Sequence, residues 1–180
     1  DILLPAALVT LVVGAIGVLG ATTLPRLAAF AAVASMGTVF VAIAGFTPAT
    51  TSAALYYILH STLAGAALFL VTDMVVRRHD TGALTAPPTG AFGGPLAAMY
   101  FVAAIASAGM PPLSGFIGKL LVLSSWSTKA PLIWPVIIVT TFLMILGLAR
   151  AGTTLFWKTD AALPTGPAPM SEPLAHAAVI

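Results

Sequence analysis

The chain has 180 residues, of which 59% are hydrophobic and only 7% are charged, and its mean hydropathy is +1.08. Because soluble domains carry about a quarter charged residues, this composition excludes an ordinary soluble domain and predicts an integral membrane protein. The chain contains no cysteine, which excludes thiolate metal sites, iron–sulfur clusters and disulfides within it. Its N-terminus has neither a methionine nor the basic segment of a secretory signal, so we expect a fragment or a processed product.

Five apolar stretches are each long enough to cross a hydrocarbon core of about 30 Å, which takes roughly 20 helical residues. The sequence therefore predicts an all-α membrane fold within residues 1–158. The five predicted helices cover residues 2–20, 26–46, 52–76, 96–126 and 132–149. An irregular loop rich in glycine and proline is expected at 77–95. Residues 159–180 are expected to form a proline-rich loop and the start of a truncated further helix.

Basic residues are distributed unevenly over the predicted loops. If the first helix starts on one side of the membrane and ends on the other, the loops on the starting side contain only Lys129, and five basic residues lie on the opposite side. These five are Arg26, Arg77, Arg78, Arg150 and Lys158. Because positive charge accumulates in cytoplasmic loops, the sequence predicts that the chain begins outside and that the loop 77–95 is cytoplasmic.

The fourth predicted helix is interrupted in its middle. Pro111 and Pro112 lack the backbone donor that a helix needs, and three nearby glycines allow a bend and a close approach of neighbours. These glycines are Gly109, Gly115 and Gly118. A break of this kind is tolerated in a membrane only where protein or water satisfies the freed carbonyls. We expect these carbonyls and Ser114 to hold water beside the lysine that follows.

That lysine, Lys119, is the leading candidate for a functional side chain. Broken helices beside an ionisable group recur at the ion sites of secondary transporters. Because burial disfavours the charged form of lysine, such a side chain can exchange a proton near neutral pH. The alternative is that Lys119 extends to the outer surface, near the predicted helix end at Trp126.

His60, within the third predicted helix, is the second candidate. Histidine titrates near neutrality and relays protons between waters, and the hydroxyls of Ser61 and Thr62 follow it. Alternatively, His60 only joins two helices and the hydroxyls bond to carbonyls of their own helix. Asp73 and Arg77, four residues apart near the predicted cytoplasmic end of this helix, are expected to form an ion pair.

The sequence carries no pattern for several other kinds of chemistry. It has no metal-ligand spacing, phosphate loop, dinucleotide fingerprint or nucleophile elbow. It also lacks the basic face with interleaved aromatic residues that nucleic-acid binding requires. We therefore expect no cofactor, no metal and no nucleic-acid partner, and the broken helix beside Lys119 favours a component of a transporter over an enzyme.

Several segments resemble one family of membrane proteins. The segment 108–121, AGMPPLSGFIGKLL, resembles the broken twelfth helix of the antiporter-like subunits. These include the D subunit of Mrp-type sodium/proton antiporters and the proton-pumping subunits of respiratory complex I and membrane-bound hydrogenases. The segment 56–70, YYILHSTLAGAALFL, with Asp73, is similar to the preceding helix of the Mrp D subunit in particular. Residues 24–30 resemble the tenth helix of the family, and residues 150–157 resemble the end of the thirteenth.

The resemblance implies a fold of about fourteen helices with two inverted five-helix repeats, of which this chain matches the second, helices nine to thirteen. It implies that Lys119 is the lysine of the second proton half-channel and that His60 lies on the same hydrophilic axis. The implied partners are the other subunits of a membrane antiporter complex, protons and Na⁺, and the implied location is the cell membrane. Sibling subunits carry a lysine near position 65, and the glycine found here, Gly65, favours the Mrp D type. The alternatives are a proton-pumping subunit of complex I or a hydrogenase, and a structural membrane module without transport.

Overall fold

The computed structural model describes residues 2–79, 82–86, 94–126 and 130–158. Six α-helices make up most of this part of the chain: α1 Leu3–Gly20, α2 Leu24–Ile43, α3 Pro48–His79, α4 Gly94–Ala108, α5 Ser114–Ser125 and α6 Ala130–Phe156. Asp80, residue 81 and residues 87–93 of the predicted loop 77–95 lie outside the described residues, as do Lys129 and the tail 159–180 with its predicted truncated helix.

Four of the helices, α1, α2, α3 and α6, are long and apolar enough to cross a membrane on their own. The other two are apolar but short, with 15 residues in α4 and 12 in α5. At 1.5 Å per residue they reach only about 23 Å and about 18 Å, so the two together replace one membrane-spanning helix. The predicted all-α membrane fold with one discontinuous helix is confirmed.

The helices pack into a closed bundle. Helix α1 packs against α2 and α6, α3 packs against α2 and α4, and α4 completes the ring against α6. Helix α5 lies beside α3. Large side chains such as Leu27, Tyr57 and Ile137 are buried inside, whereas Val9, Leu59 and many other large apolar residues are exposed on the outside. An apolar outer surface of this extent suits contact with lipid or with further membrane helices.

Helix α3 begins four residues before the predicted start at residue 52. The N–H of Thr50 donates to Oγ1 of Thr47 at 3.2 Å, and the N–H of Thr47 donates to Oγ1 of Thr50 at 2.9 Å. This reciprocal capping satisfies two backbone donors, and Pro48 suits the first helical position. The helix also continues past residue 76 to His79, and within it Arg77 bonds to Asp73 one turn earlier.

Helix α6 continues past its predicted end at residue 149 to Phe156. Arg150 is therefore a helical residue, and its side chain donates to the carbonyl of Ala21, just past the end of α1, at 2.7 Å. Beyond it, the ring of Phe156 packs against the rings of Tyr100 and Phe101 in α4. Aromatic packing therefore stabilises the two further turns.

Residues 82–86, within the loop predicted to be irregular, pair with the turn between α1 and α2. The N–H of Leu24 donates to the carbonyl of Gly82 at 2.7 Å, and the N–H of Leu84 donates to the carbonyl of Thr22 at 2.9 Å. The turn before α2 needs donors and acceptors for its free backbone groups, and this segment supplies them. Helix α2 follows directly at Leu24 rather than at residue 26 and ends at Ile43 rather than at residue 46.

Candidate functional site

Residues 109–113 separate α4 from α5. Gly109 has a φ of 73°, and its N–H donates to the carbonyl of Ala106 at 3.0 Å. A residue in this left-handed conformation commonly ends a helix, and glycine adopts it without strain. If α4 continued, the N–H of residue 112 would bond to the carbonyl of Ala108, but Pro112 has no N–H. The carbonyl of Ala108 is therefore open to another donor.

Lys119 of α5 is that donor. Its side chain is only 7% exposed, and Nζ donates to the carbonyl of Ala108 at 2.7 Å and to Oγ1 of Thr141 in α6 at 2.8 Å. The aliphatic part lies against Gly109, where a Cβ would come within 2.9 Å of Cδ and Cε. Lys119 is buried and does not extend to the surface. Its ammonium lies at the C-terminal end of α4, where the free carbonyls favour a cation.

The described residues give Lys119 no carboxylate partner. Asp73 is the only acid among them, and it bonds to Arg77 at 2.7 Å near the end of α3. Both of these side chains are more than half exposed to solvent outside the bundle, so their ion pair contributes at most about 1 kcal/mol. The remaining acids lie outside the described residues: Asp1, Asp80, Asp160 and Glu172.

A pocket of about 140 Å³ opens beside Lys119 and Thr141, between α5 and α6. Its walls are otherwise apolar and include Phe116, Leu120 and Ile138. One water occupies about 30 Å³ in the liquid, so the pocket has room for a few waters next to the amine.

His60 joins three helices at the break. Its ring is 8% exposed, Nε2 lies 3.1 Å from the carbonyl of Ala106 in α4, and Nδ1 lies 2.8 Å from Oγ of Ser114 in α5. Because a carbonyl only accepts, Nε2 carries a proton. The neutral ring then accepts from the Ser114 hydroxyl at Nδ1, and the cationic ring donates to the same oxygen. His60 can therefore gain or lose a proton without losing either partner.

Two of the predicted glycines allow α5 to approach this site closely. A Cβ at Gly115 would come within 2.5 Å of Nε2 of His60 and 2.7 Å of the Ala106 carbonyl oxygen. A Cβ at Gly118 would come within 2.8 Å of the Tyr57 ring. That ring in turn meets the His60 ring edge to face, with centroids 5.9 Å apart. Any larger residue at position 115 would separate His60 from its acceptor.

Other predicted site residues are placed differently. Ser61 and Thr62 both donate to the carbonyl of Ile58 in their own helix, at 3.2 Å and 2.7 Å, so their hydroxyls do not extend the site. Ser114, which was expected to hold water beside Lys119, bonds to His60. Residues 114 and 119 are about 140° apart around α5, so they face different neighbours.

Thr141 is a site residue that the sequence analysis missed. It follows Thr140 in an otherwise apolar stretch of α6, and neighbouring residues of a helix point about 100° apart. Thr140 donates to the carbonyl of Val136 in its own helix at 2.6 Å, whereas Thr141 accepts from Lys119. Two adjacent hydroxyls in an apolar helix do not by themselves indicate such a partner, because Ser61 and Thr62 both bond to their own backbone.

Comparisons with known proteins agree with this architecture. The model of the family described as "NADH:quinone oxidoreductase/Mrp antiporter, TM" matches residues 1–145. The D subunit of the Na(+)/H(+) antiporter of Bacillus subtilis is 27% identical over 165 residues, which cover 88% of this chain and 32% of that protein. The NAD(P)H-quinone oxidoreductase chain 4 1 of Synechococcus sp. is 36% identical over 115 residues, which cover 63% of this chain and 22% of that protein.

Two solved structures contain a similar fold. A chain of respiratory complex I from Thermus thermophilus superposes with a TM-score of 0.80 at 24% identity, over 87% of this chain and 34% of that one. A chain of the Mrp complex from Dietzia sp. superposes with a TM-score of 0.74 at 28% identity, over 85% of this chain and 30% of that one. The chain thus spans about a third of the length of these relatives. The match over most of its residues shows that the chain belongs to the NADH:quinone oxidoreductase/Mrp antiporter transmembrane family.

Proposed function

We propose that this chain is the second proton half-channel of a cation/proton antiporter component of the Mrp D type, and that protons pass through Lys119. The observation that carries the proposal is the setting of this side chain. Lys119 is buried at a helix break and bonds to a carbonyl and a hydroxyl, and the described residues hold no carboxylate that would fix its charge.

The number of acceptors supports a lysine that changes its protonation state. A neutral amine has two N–H groups, and Ala108 and Thr141 provide two acceptors. The ammonium has a third N–H group, which needs water in the adjoining pocket. Because only the charged form needs that water, filling and emptying the pocket would favour uptake and then release of a proton.

His60 extends the path on the other side of the break. His60 keeps both hydrogen-bond partners whether its ring is neutral or cationic. It is therefore suited to pass protons between Lys119 and water rather than to hold a fixed charge. The two titratable side chains bond to the two carbonyls of the same helix end, Ala106 and Ala108.

The proposed coupled ion is Na⁺, and the proposed partners are the other subunits of a multisubunit antiporter in the cell membrane. The antiporter relatives are named as D subunits of a Na(+)/H(+) and a probable K(+)/H(+) antiporter, and their matches cover more of this chain than the oxidoreductase match does. The second candidate is a proton-pumping subunit of an NADH:quinone oxidoreductase. The 36% identity to an oxidoreductase chain favours it, although the match covers only 63% of the chain.

The test uses the full-length protein in its assembled complex, in everted vesicles that report proton flux on addition of Na⁺. Lys119→Ala should abolish flux and leave assembly intact, because alanine suits a helix and removes a buried charge. Lys119→Arg should also abolish it, because arginine keeps its proton in this pH range. Lys158→Ala, at an exposed position just beyond α6, is the matched control and should transport like the wild type.

Each alternative has its own outcome in this test. Wild-type flux in the arginine variant would make Lys119 a fixed charge or a structural tether and would overturn the lysine mechanism. Flux that depends on NADH oxidation and not on Na⁺ would favour the oxidoreductase candidate. A complex with no flux in any variant, including the wild type, would favour a structural module.

A further inference from the structure

A polar stripe on α3 leads from the end of the bundle towards His60. Ser52, Tyr56 and His60 follow one another at intervals of four residues, so their side chains lie on nearly the same face of the helix, about 6 Å apart along it. Ser52 and Tyr56 are exposed, and His60 at the inner end is buried. The stripe therefore runs from the outside of the bundle to the site at the break.

A crevice of about 430 Å³ lies over the outer part of this stripe, between the start of α3 and the end of α5. Four of its lining residues carry hydroxyls: Ser52, Tyr56, Ser124 and Ser125. The hydroxyls of Ser124 and Ser125 donate to carbonyls of their own helix, which leaves their oxygens able to accept from water. At about 30 Å³ per water, the crevice has room for roughly ten or more waters.

Tyr56 connects the floor of this crevice to the site at the break. Its hydroxyl donates to the carbonyl of Ser114 at 3.4 Å, and the hydroxyl of the same Ser114 bonds to Nδ1 of His60 at 2.8 Å. Gly118 leaves room for this arrangement, because a Cβ there would press against the rings of both Tyr57 and Tyr56. Ser114 therefore links Tyr56, which lines the crevice, to the His60 ring.

We propose that this crevice is an aqueous vestibule and that the Tyr56 hydroxyl passes protons between it and the His60–Ser114 pair. The inference rests on the proposed proton path and specifies where that path leaves the bundle. The Ser114 carbonyl only orients the Tyr56 hydroxyl, so a bridging water carries the proton between the Tyr56 and Ser114 hydroxyls. Each hydroxyl takes a proton on its oxygen as it releases its own, and the relay groups end unchanged. This path reaches the end of the bundle that lies opposite Arg77 and Arg78.

The first arm of the test measures access of water to the crevice. This chain has no cysteine, so single cysteines can be placed in the full-length complex once the rest of the complex is cysteine-free. The complex is placed in lipid nanodiscs, where both faces are accessible, and treated with a charged methanethiosulfonate reagent. Tyr56→Cys and Ser124→Cys should react at least about tenfold faster than Leu55→Cys, because the reactive thiolate forms only where water reaches the thiol.

Leu55 is a matched control because it lies one residue from Tyr56, at nearly the same depth, and is 65% exposed without lining the crevice. Equal reaction rates at positions 55 and 56 would overturn the vestibule, because the crevice would then be no more accessible to water than the surface beside it. The labelling is independent of transport, so its result stands even if the Lys119 variants disprove the proposed function.

The second arm measures the relay. Tyr56→Phe keeps the ring beside Gly118 and removes only the hydroxyl, so it should lower proton flux several-fold while Ser124→Cys in the same background still reacts at its original rate. Wild-type flux in Tyr56→Phe would overturn the role of Tyr56. Loss of flux on modification of Ser124→Cys, with no loss on treatment of Leu55→Cys, is the further result expected of a path through the crevice.

Discussion

Nε2 of His60 donates to the carbonyl of Ala106 at 3.1 Å, and this bond joins the middle of α3 to the last turn of α4. Lys119 bonds to the carbonyl of Ala108, two residues further on. The end of α4 thus offers two carbonyls to two titratable side chains from two other helices: that of Ala106, which also accepts from the N–H of Gly109, and that of Ala108. The break and the bond of Lys119 are one unit, since in a continuous helix a backbone N–H would bond to the carbonyl of Ala108.

Gly115→Ala should separate His60 from Ala106. The added methyl group would lie 2.5 Å from Nε2 of His60 and 2.7 Å from the Ala106 oxygen, so one of the two must move. We expect a loss of about 2–4 kcal/mol in the free energy of unfolding, from overpacking and from the broken hydrogen bond. Denaturation of the purified full-length protein measures it.

The matched control for this prediction is Gly65→Ala in α3, where a Cβ meets nothing within 4 Å. Alanine has the higher helix propensity, so this variant should be unchanged or more stable by up to about 1 kcal/mol. Equal losses in both variants would mean that the close approach at Gly115 has no special role.

The main features of the fold could be predicted from composition and local chemistry. Runs of about 20 apolar residues identified the spans, and Pro111 and Pro112 with their glycines identified the break. The helix ends were less predictable. The start of α3 depends on two threonines that cap each other, and the end of α6 depends on aromatic packing against α4, which is distant in the sequence.

The site was predicted only in part for the same reason. Lys119 and His60 stand out because polar groups are rare in apolar helices. Thr141 and Tyr56 do not stand out, because a hydroxyl in an apolar helix usually bonds to its own backbone, as that of Thr140 does. Only the packing of α6 and α5 against their neighbours determines which hydroxyls face a partner.

His60 is expected to adjust proton flux rather than to carry it alone. His60→Ala should slow Na⁺-dependent proton flux and shift its pH optimum, because a titratable group is lost while water can bridge the gap. His60→Gln keeps an amide N–H that reaches towards Ala106 but cannot titrate. It should therefore regain stability without regaining the original pH profile. Unchanged flux in the alanine variant across the pH range would leave His60 with a packing role only.

The orientation of the chain is a prediction of the arginine distribution and is tested by labelling in intact cells. Thr85 lies in the described part of the loop after α3, and Ser52 lies near the start of α3 at the opposite end of the bundle. With an impermeant thiol reagent outside, Ser52→Cys should react at once and Thr85→Cys only after the membrane is opened. The reverse pattern would place the arginines outside.

Thr141→Val tests whether Lys119 depends on its neighbour in α6. Valine has nearly the shape of threonine but cannot accept a hydrogen bond, so Lys119 would keep only the carbonyl of Ala108 among its two described acceptors. A hydrogen bond to a charged group is worth about 1.5–3 kcal/mol, which corresponds to roughly a 10- to 100-fold change in an equilibrium. We therefore expect Na⁺-dependent proton flux in everted vesicles to fall at least about tenfold.

Thr140→Val is the control, one residue away in the same helix. Thr140 is buried, but its hydroxyl donates to the carbonyls of Val136 and Ile137 in its own helix, and these carbonyls keep their backbone partners. This variant should assemble and transport like the wild type. If the two variants lose flux equally, the loss comes from altered packing of α6. If neither loses flux, the bond between Lys119 and Thr141 does not contribute to proton transfer.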